Sequence, residues 1–190
     1  HATLATAHCL KTLLKHPRPH YLFKTKSGLL RVKAIGDTYQ MELPARMPVT
    51  ASLPDAIKKA LSIAPQAVYK ARDYVLVYRS EQEILDIQIN RAQLDQINLD
   101  PGGVVVTAKG DRCDFVSRFF TPQATILEDP VTGSAHCSLV PFWAERLQKN
   151  ELDAEQRSQR GGFLKCSLVG DKVVLVGKAR TYAVGTLWTE

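Results

Sequence analysis

Hydrophobic and polar positions in the first part of the chain follow two different periods. Residues 2–14 are rich in Ala and Leu at helical spacing, which predicts a helix that Pro17 ends. Residues 21–43 switch to alternation and predict antiparallel strands, with turns at residues 27–28 and 36–37. The chain therefore opens with one helix followed by paired strands.

The remainder of the chain mixes short strands with two isolated helices. A short helix is predicted over residues 53–62, with Ser52 as its N-cap and Pro54 at the first helical position (N1), and a longer helix over residues 135–148. Residues 81–98 look helical in part. The predicted strands are residues 67–70, 74–78, 103–108, 113–120, 162–168, 172–177 and 180–188, with Gly170-Asp171 as a hairpin turn. Short antiparallel strands with two isolated helices indicate an α+β fold.

The two long helical segments resemble each other. HATLATAHCLKTLL and SAHCSLVPFWAERL both place small residues around a histidine and then become rich in Leu, and strands follow each of them. This predicts two halves, each wrapping strands around one helix, with the two helix N-termini near each other. Pro44 and Pro48 bracket a connector, so the predicted domains are residues 1–48 and 49–190, with the last strand free to return to the first domain.

The composition is that of a globular protein. Of 190 residues, 45% are hydrophobic and 23% are charged, and no apolar run approaches the roughly 18 residues of a membrane span. No secretory segment opens the chain, so we expect no membrane partner and a cytoplasmic location. The four cysteines are far apart and form no CxxC pair, which indicates buried free thiols in a reducing compartment: Cys9, Cys113, Cys137 and Cys166.

The positive charge is concentrated at the start of the chain. Residues 1–50 hold eight Lys or Arg against two acidic residues, which accounts for the formal net charge of +6. Such a basic segment suggests an anionic ligand or a nucleic-acid face. Because the segment contains no run of adjacent Lys or Arg, scattered solvated charges are the simpler interpretation, and we expect no nucleic-acid partner.

Two histidines near the start of the chain have a spacing that bears on metal binding. His1 and His8 are seven residues apart and could share a helix face, but no carboxylate completes the spacing of a zinc site. We therefore expect no metal.

The most informative segment for chemistry leads into the second long helix. Glu128-Asp129 precede Pro130, and Thr132-Gly133-Ser134 then open the helix. This order places an acid, hydroxyl groups and unpaired backbone N–H groups at one helix N-terminus, which attracts anions. Gly133 allows close approach to a ligand, Ser134 can cap the helix, and Asp129 can position a substrate or transfer a proton.

An ordinary structural role explains the same residues. Asp-Pro followed by Thr-Gly-Ser is a common way to turn a chain into a helix without any ligand. Arg160-Gly161-Gly162 can likewise be the beginning of a hairpin, and a terminal histidine such as His1 is more often exposed than catalytic. From spacing alone, both interpretations stay open.

A family resemblance favours the functional interpretation. The run EDPVTGSAHCSL, preceded by DFVSRFFTP and followed by RSQRGGFL, closely resembles the PhzF-like family of phenazine-biosynthesis proteins. The opening HATLATAHCL is similar to that family's GHATLA segment without its glycine, and the resemblance covers essentially all 190 residues. It implies a fold like that of diaminopimelate epimerase, with two pseudo-symmetric halves of strands around a central helix, the first half truncated here.

The resemblance also implies a function. Known members are cofactor-free isomerases that act by proton transfer, the founding one on a dihydro-hydroxyanthranilate, at a cleft between the halves. His1 and Asp129 match polar active-site residues of the family and are the expected catalytic residues. We expect a small anionic substrate, no cofactor, and substrate contacts from Thr132, Gly133, Ser134, Gly161 and Gly162.

One departure from the family pattern leaves an alternative open. The family's general base is a glutamate in a Ser-Glu-Thr segment upstream of the opening motif, and this chain contains no such segment. About a quarter of a typical member would precede His1. Because strands would be missing there, the helix over residues 2–14 would be exposed to solvent. We therefore expect either a longer natural chain or a homodimer that covers this surface. The alternative to an isomerase is a non-catalytic small-ligand-binding or interaction protein that kept the fold.

Overall fold

The computed structural model describes residues 1–16, 18–26 and 28–188, and it is a mixed α+β structure, as predicted. The predicted helix stop at Pro17 and the turn residue Ser27 lie outside the described residues. The chain divides into two units, His1–Glu42 with Leu175–Glu190 and Leu43–Val174. The domain boundary expected after residue 48 stays a prediction.

The first unit begins with a helix and a three-stranded meander. Its elements are α1 (Ala2–Thr12), β1 (His20–Thr25), β2 (Gly28–Ile35) and β3 (Thr38–Pro44). β1 pairs with β2 and β2 with β3, both antiparallel, and α1 packs against β2. The turn between β2 and β3 is at Gly36, whose φ of 56° suits glycine, so the predicted strands and this turn are confirmed.

Most of α1 is accessible to solvent. Ala7 is its one buried residue among those described, and just after the helix Leu14 is 66% exposed. The Cys9 thiol is exposed and Cys113 only partly buried, which corrects the expectation of four buried thiols; Cys137 and Cys166 are buried. The longer chain and the homodimer stay predictions.

The second unit contains a larger sheet with helices on both faces. Its elements are β4 (Val49–Thr50), α2 (Asp55–Ala60), β5 (Ala67–Lys70), β6 (Tyr74–Val77), α3 (Glu81–Asp86), α4 (Arg91–Leu94), β7 (Val104–Lys109), β8 (Phe115–Phe120), β9 (Glu128–Asp129), α5 (His136–Leu147), β10 (Glu151–Gln156), β11 (Gly162–Val169) and β12 (Lys172–Lys178). The strand order is β4-β5-β6-β7-β8-β10-β11, and β9 pairs with β8. Two pairs, β6 with β7 and β8 with β10, are parallel, whereas the sequence suggested antiparallel strands throughout. β3 and β12 each have residues in both units.

Alternation along β6, β7 and β8 supplies two buried faces. Leu76, Val106 and Val116 pack into one core with residues of α2, α3 and α4. On the opposite face, Phe115 stacks on Trp143 of α5 with ring centroids 6.0 Å apart, and the Trp143 indole N–H donates to the Thr107 hydroxyl at 3.0 Å. Because α5 is buried from His136 to Ala144, it is the central helix of this unit.

A proline inside α5 leaves a helix carbonyl that binds the connector between Pro44 and Pro48. Pro141 has no N–H, so the carbonyl of Cys137, four residues earlier, lacks its helical donor. The Arg46 amide donates to that carbonyl at 2.8 Å. This bond fixes residue 46 against the helix.

Three expectations about individual elements were wrong, and one strand was missed. Ser52 is not the N-cap of α2, because Pro54 holds that position. Residues 180–188 are not a strand in the described part of the chain, and β10 was not predicted at all. Ser134 does not cap the helix, since the capping positions are Thr132 for the 3-10 turn Gly133–Ala135 and Ala135 for α5.

Candidate active site

The two acids of β9 have different surroundings. Glu128 pairs with Arg118 through two bonds of 2.8 and 2.9 Å, and Arg118 also donates to the carbonyls of Ile84 and Ile87. Asp129 is opposite Phe119 in the ladder between β8 and β9. Because side chains alternate along a strand, Asp129 lies on the α5 face and Glu128 on the other. Glu128 is therefore a structural partner of Arg118, and the catalytic role of Asp129 stays a prediction.

A hydrogen-bond network orients the Asp129 carboxylate. The Thr132 hydroxyl donates to Oδ2 of Asp129 at 2.8 Å. The Gln156 side chain accepts from the Thr132 amide at 2.7 Å and donates to the Asp129 carbonyl at 2.7 Å and to the Thr132 hydroxyl at 3.2 Å. Within residues 1–16, 18–26 and 28–188, the side-chain hydrogen bond of Asp129 is made by Oδ2, and Oδ1 has no hydrogen-bond partner.

Gln156 is the residue of this network that sequence reasoning missed. It ends β10, is 1% exposed, and follows Leu152 and Ala154 on the buried face of the strand. The signal in the sequence was this apolar alternation within ELDAEQ, which the intervening acids conceal. Thr132 is buried with its hydroxyl already bound to Asp129, so it holds the acid in place.

The helix start beside the acid is rich in donors. The 3-10 turn Gly133–Ala135 continues directly into α5, so the amides at its beginning have no partner within the helix. Arg72 donates to the Ser134 hydroxyl oxygen at 3.0 Å. This end of α5 can therefore bind an anion.

His136 is fully buried at the first position of α5. One ring nitrogen, Nδ1, is 2.8 Å from the Thr132 carbonyl, while Nε2 has no partner in the described part of the chain. Burial lowers the pKa of His136 to about 4, although the Thr132 carbonyl opposes this change. A neutral ring with its Nδ1–H bonded to Thr132 fits these surroundings.

The free energy of unfolding should fall in mild acid because of His136. Its pKa is depressed in the folded state, so the unfolded chain binds more protons between the ordinary value of 6.5 and about 4. Lowering the pH from 7 to 5 should cost about 2 kcal/mol from this residue, by the conversion of pKa shifts to free energy. Urea unfolding of the wild type and of His136→Asn over this range measures it, with the exposed His20→Asn as control. Equal pH slopes in wild type and H136N would contradict the assignment, and NMR titration of the His136 ring checks it without a variant.

Gly161 and Gly162 support the loop after Asp129. The Gly161 amide donates to the Ser158 hydroxyl at 3.0 Å, and that hydroxyl donates to the Pro130 carbonyl at 2.8 Å. Gly161 has a φ of 73°, and a Cβ at Gly162 would collide with the Val131 side chain. The pair therefore fixes residues 130–131; substrate contact by these glycines stays a prediction.

Gly162→Ala should destabilise the protein by about 1–3 kcal/mol, because the added methyl group overpacks the contact with Val131. Chemical unfolding measures the change. Gly185→Ala is the matched control, since a Cβ there meets no atom within 4 Å. If both variants unfold alike, Gly162 is not a close-packing position.

The candidate residues fall in both units of the chain. Asp129, Thr132, Gly133, Ser134, Gly161 and Gly162 lie in the second unit, together with the two residues that the sequence did not indicate, Arg72 and Gln156. His1 precedes α1 in the first unit, where it is exposed and makes no side-chain capping bond. Its catalytic role stays a prediction.

The described residues contain no cluster of three or more His, Cys, Asp or Glu side chains that could hold a metal ion. None of their helices has the length and apolar character needed to cross a membrane.

Comparison with solved structures identifies the fold. The chain aligns over 95% of its length with a hydroxyproline epimerase from Agrobacterium vitis, with a TM-score of 0.58 at 10% sequence identity, covering 63% of that chain. It is thus an α+β protein of the epimerase type of fold. The chain belongs to the PhzC-PhzF family of phenazine biosynthesis-like proteins, whose sequence model matches residues 1–185.

Relatives of higher identity agree with this membership. An uncharacterized isomerase of Pseudomonas aeruginosa is 46% identical over 187 residues, which cover 98% of this chain and 71% of the relative. A human phenazine biosynthesis-like domain-containing protein is 33% identical over 207 residues, covering 98% and 72%. A PhzC/PhzF structure from Clostridium difficile has a TM-score of 0.88 and 38% identity, and the match covers all of this chain and 73% of that one.

Proposed function

We propose that the chain carries the acid and the anion-binding part of a PhzF-like isomerase or epimerase that moves a proton on a small anionic substrate. The Asp129 carboxylate is the observation that carries this proposal, because Thr132 holds one oxygen and the other has no hydrogen-bond partner among the residues that the structure describes. The isomerases among the relatives support the reaction class. His1 is proposed as a second catalytic residue because of its motif match.

The proposed chemistry is a proton transfer that changes the position of one hydrogen and leaves the composition of the substrate unchanged. A carboxylate removes a proton from a carbon next to a carbonyl or double bond, and the proton returns to another carbon or to the other face. Asp129 exchanges this proton or holds the polar group beside it. No electrons leave the substrate, so the step balances without a cofactor.

The helix start stabilises the negative charge. The amides that open the turn Gly133–Ala135 and the hydroxyl of Ser134 supply preorganised donors for a carboxylate or a developing oxyanion. Donors fixed in this way lower the barrier because they need not reorient during the reaction.

Hydrogen exchange with solvent tests the proposal. The chain is incubated in heavy water with a panel of cyclic amino-acid-like carboxylates that includes a dihydro-hydroxyanthranilate. Loss of one C–H proton signal by NMR, with the mass increase that replacement of one hydrogen by deuterium gives, is the expected result. Absence of exchange throughout the panel, both by this chain and by a longer form that carries an upstream Ser-Glu-Thr segment, would count against an enzyme. Carboxylate binding without exchange by either form would favour the ligand-binding alternative.

A further inference from the structure

Arg72 is held in place by a buried carboxylate. Its Nε and Nη2 atoms donate to Asp73 at distances from 2.8 to 3.1 Å, and the Gly103 amide donates to the same carboxylate at 3.0 Å. The Asp73 side chain is 1% exposed and that of Arg72 is 27% exposed. The pair therefore has its negative end inside the protein and its positive end toward the surface. A two-point contact of this kind fixes the plane of a guanidinium.

The third contact of Arg72 determines what Ser134 can do. Nη2 of Arg72 donates to Oγ of Ser134 at 3.0 Å. A guanidinium has no acceptor, so Oγ must be the acceptor in this bond and the Ser134 hydroxyl proton is left for another group. Among the residues whose positions are described, Oγ has no second partner, and Nη1 of Arg72 has none. Both groups are donors, and both suit an anionic oxygen.

A second arginine adds positive charge near Arg72 and the start of α5. Burial raises the pKa of Cys137 near the start of α5, while the positive charges of Arg46 and Arg72 oppose that rise. Burial also raises the pKa of Asp73, against the same two arginines. Arg46 thus adds a positive charge that the pairing of Arg72 with Asp73 does not cancel.

We propose that Arg72, anchored by Asp73, is a positioning and specificity residue that turns the Ser134 hydroxyl toward a carboxylate or enolate oxygen of the substrate. This inference rests on the function proposed above. It assigns to Arg72 the choice of an anionic over a neutral ligand, a role that the motif around Asp129 does not reveal.

A matched pair of ligands tests this role. Anthranilate and 2-aminobenzamide have the same ring but differ in charge, and calorimetry gives their dissociation constants. Arg72→Met should weaken anthranilate binding by about 10- to 100-fold, which is the range for one charge-assisted hydrogen bond. Binding of the amide should change less than about twofold, because it presents no anionic oxygen. Arg72→Lys should give an intermediate affinity, because lysine keeps the positive charge but cannot make the planar two-point contact of a guanidinium.

Coupling to Ser134 separates this role from a structural one. If Arg72 acts through the hydroxyl, Arg72→Met combined with Ser134→Ala should bind anthranilate no worse than the weaker single variant. Arg146→Met removes an exposed arginine near the other end of α5 and should leave binding unchanged. Because Arg72→Met leaves Asp73 unpaired, Arg72→Met with Asp73→Asn repeats the measurement, and thermal melting checks the fold of each variant.

The outcomes distinguish this inference from the proposed function. Equal weakening of both ligands, or full additivity with Ser134→Ala, would overturn the role of Arg72 alone. A wild type that exchanges its substrate and an Arg72→Met variant with unchanged KM would do the same. A wild type that neither binds anthranilate nor exchanges any panel member, in this or the longer form, would overturn both proposals together.

Discussion

Replacing Asp129 by Asn should slow solvent exchange into the substrate by about 100- to 10,000-fold, the usual contribution of a positioned acid or base. Asparagine can still accept the hydrogen bond that Thr132 donates, so the loop around residue 129 keeps its main support. What the variant loses is the ability to take up and return a proton. The rate of deuterium incorporation under saturating substrate, followed by NMR, measures the effect on turnover.

A surface carboxylate provides the control for this variant. Asp171→Asn changes an exposed acid in the same unit and should leave the exchange rate unaltered. Unfolding curves that match the wild type would show that D129N is folded. A folded D129N protein with the wild-type exchange rate would assign proton transfer to another residue and leave Asp129 a structural part of the loop.

Local patterns predicted much of the fold. The alternation between Tyr21 and Leu43 specified β1 to β3, because one face of each strand is more buried and Gly36 supplies the turn. The small and apolar residues after Ser134 specified α5, which is buried on nearly all sides. In these segments the period of the side chains agrees with the tertiary environment.

The missed and misplaced strands depend on contacts that are distant in sequence. β10 has acids at every second position and pairs in parallel with β8, some 40 residues earlier, so only Leu152, Ala154 and Gln156 record its buried face. The opposite error occurred after β12, where Tyr182, Val184 and Leu187 suggested a strand although these side chains are exposed. Strand propensity describes how well a side chain fits a half-buried sheet. It does not show whether a neighbouring strand is present to pair with.

The candidate site shows the same division. The motif from Glu128 to Ser134 identified the acid and the helix start from adjacent residues. Arg72 and Gln156 reach the site from a loop about 60 residues earlier and from the end of β10. Their polar side chains have no local signal of function, because the groups that satisfy them are brought near only by the folded sheet.

Gln156→Leu should lower the free energy of unfolding by about 2–5 kcal/mol, since it leaves the buried Thr132 amide and the partly buried Asp129 carbonyl without these partners, at about 1–3 kcal/mol for a fully buried group. The variant should also impair substrate exchange, because Gln156 orients the Thr132 hydroxyl that holds Asp129. Chemical unfolding measures the first effect and deuterium incorporation the second.

The same substitution at an exposed position is the control. It shows how much of the loss of stability comes from the buried hydrogen bonds and how much comes from replacing Gln by Leu as such. Gln82→Leu alters a glutamine on the surface of α3 and should shift stability by no more than about 0.5 kcal/mol. If Gln156→Leu were as stable as Gln82→Leu, the loop from Asp129 to Thr132 would be held by other contacts. The Asp129 carboxylate would then owe its orientation to Thr132 alone.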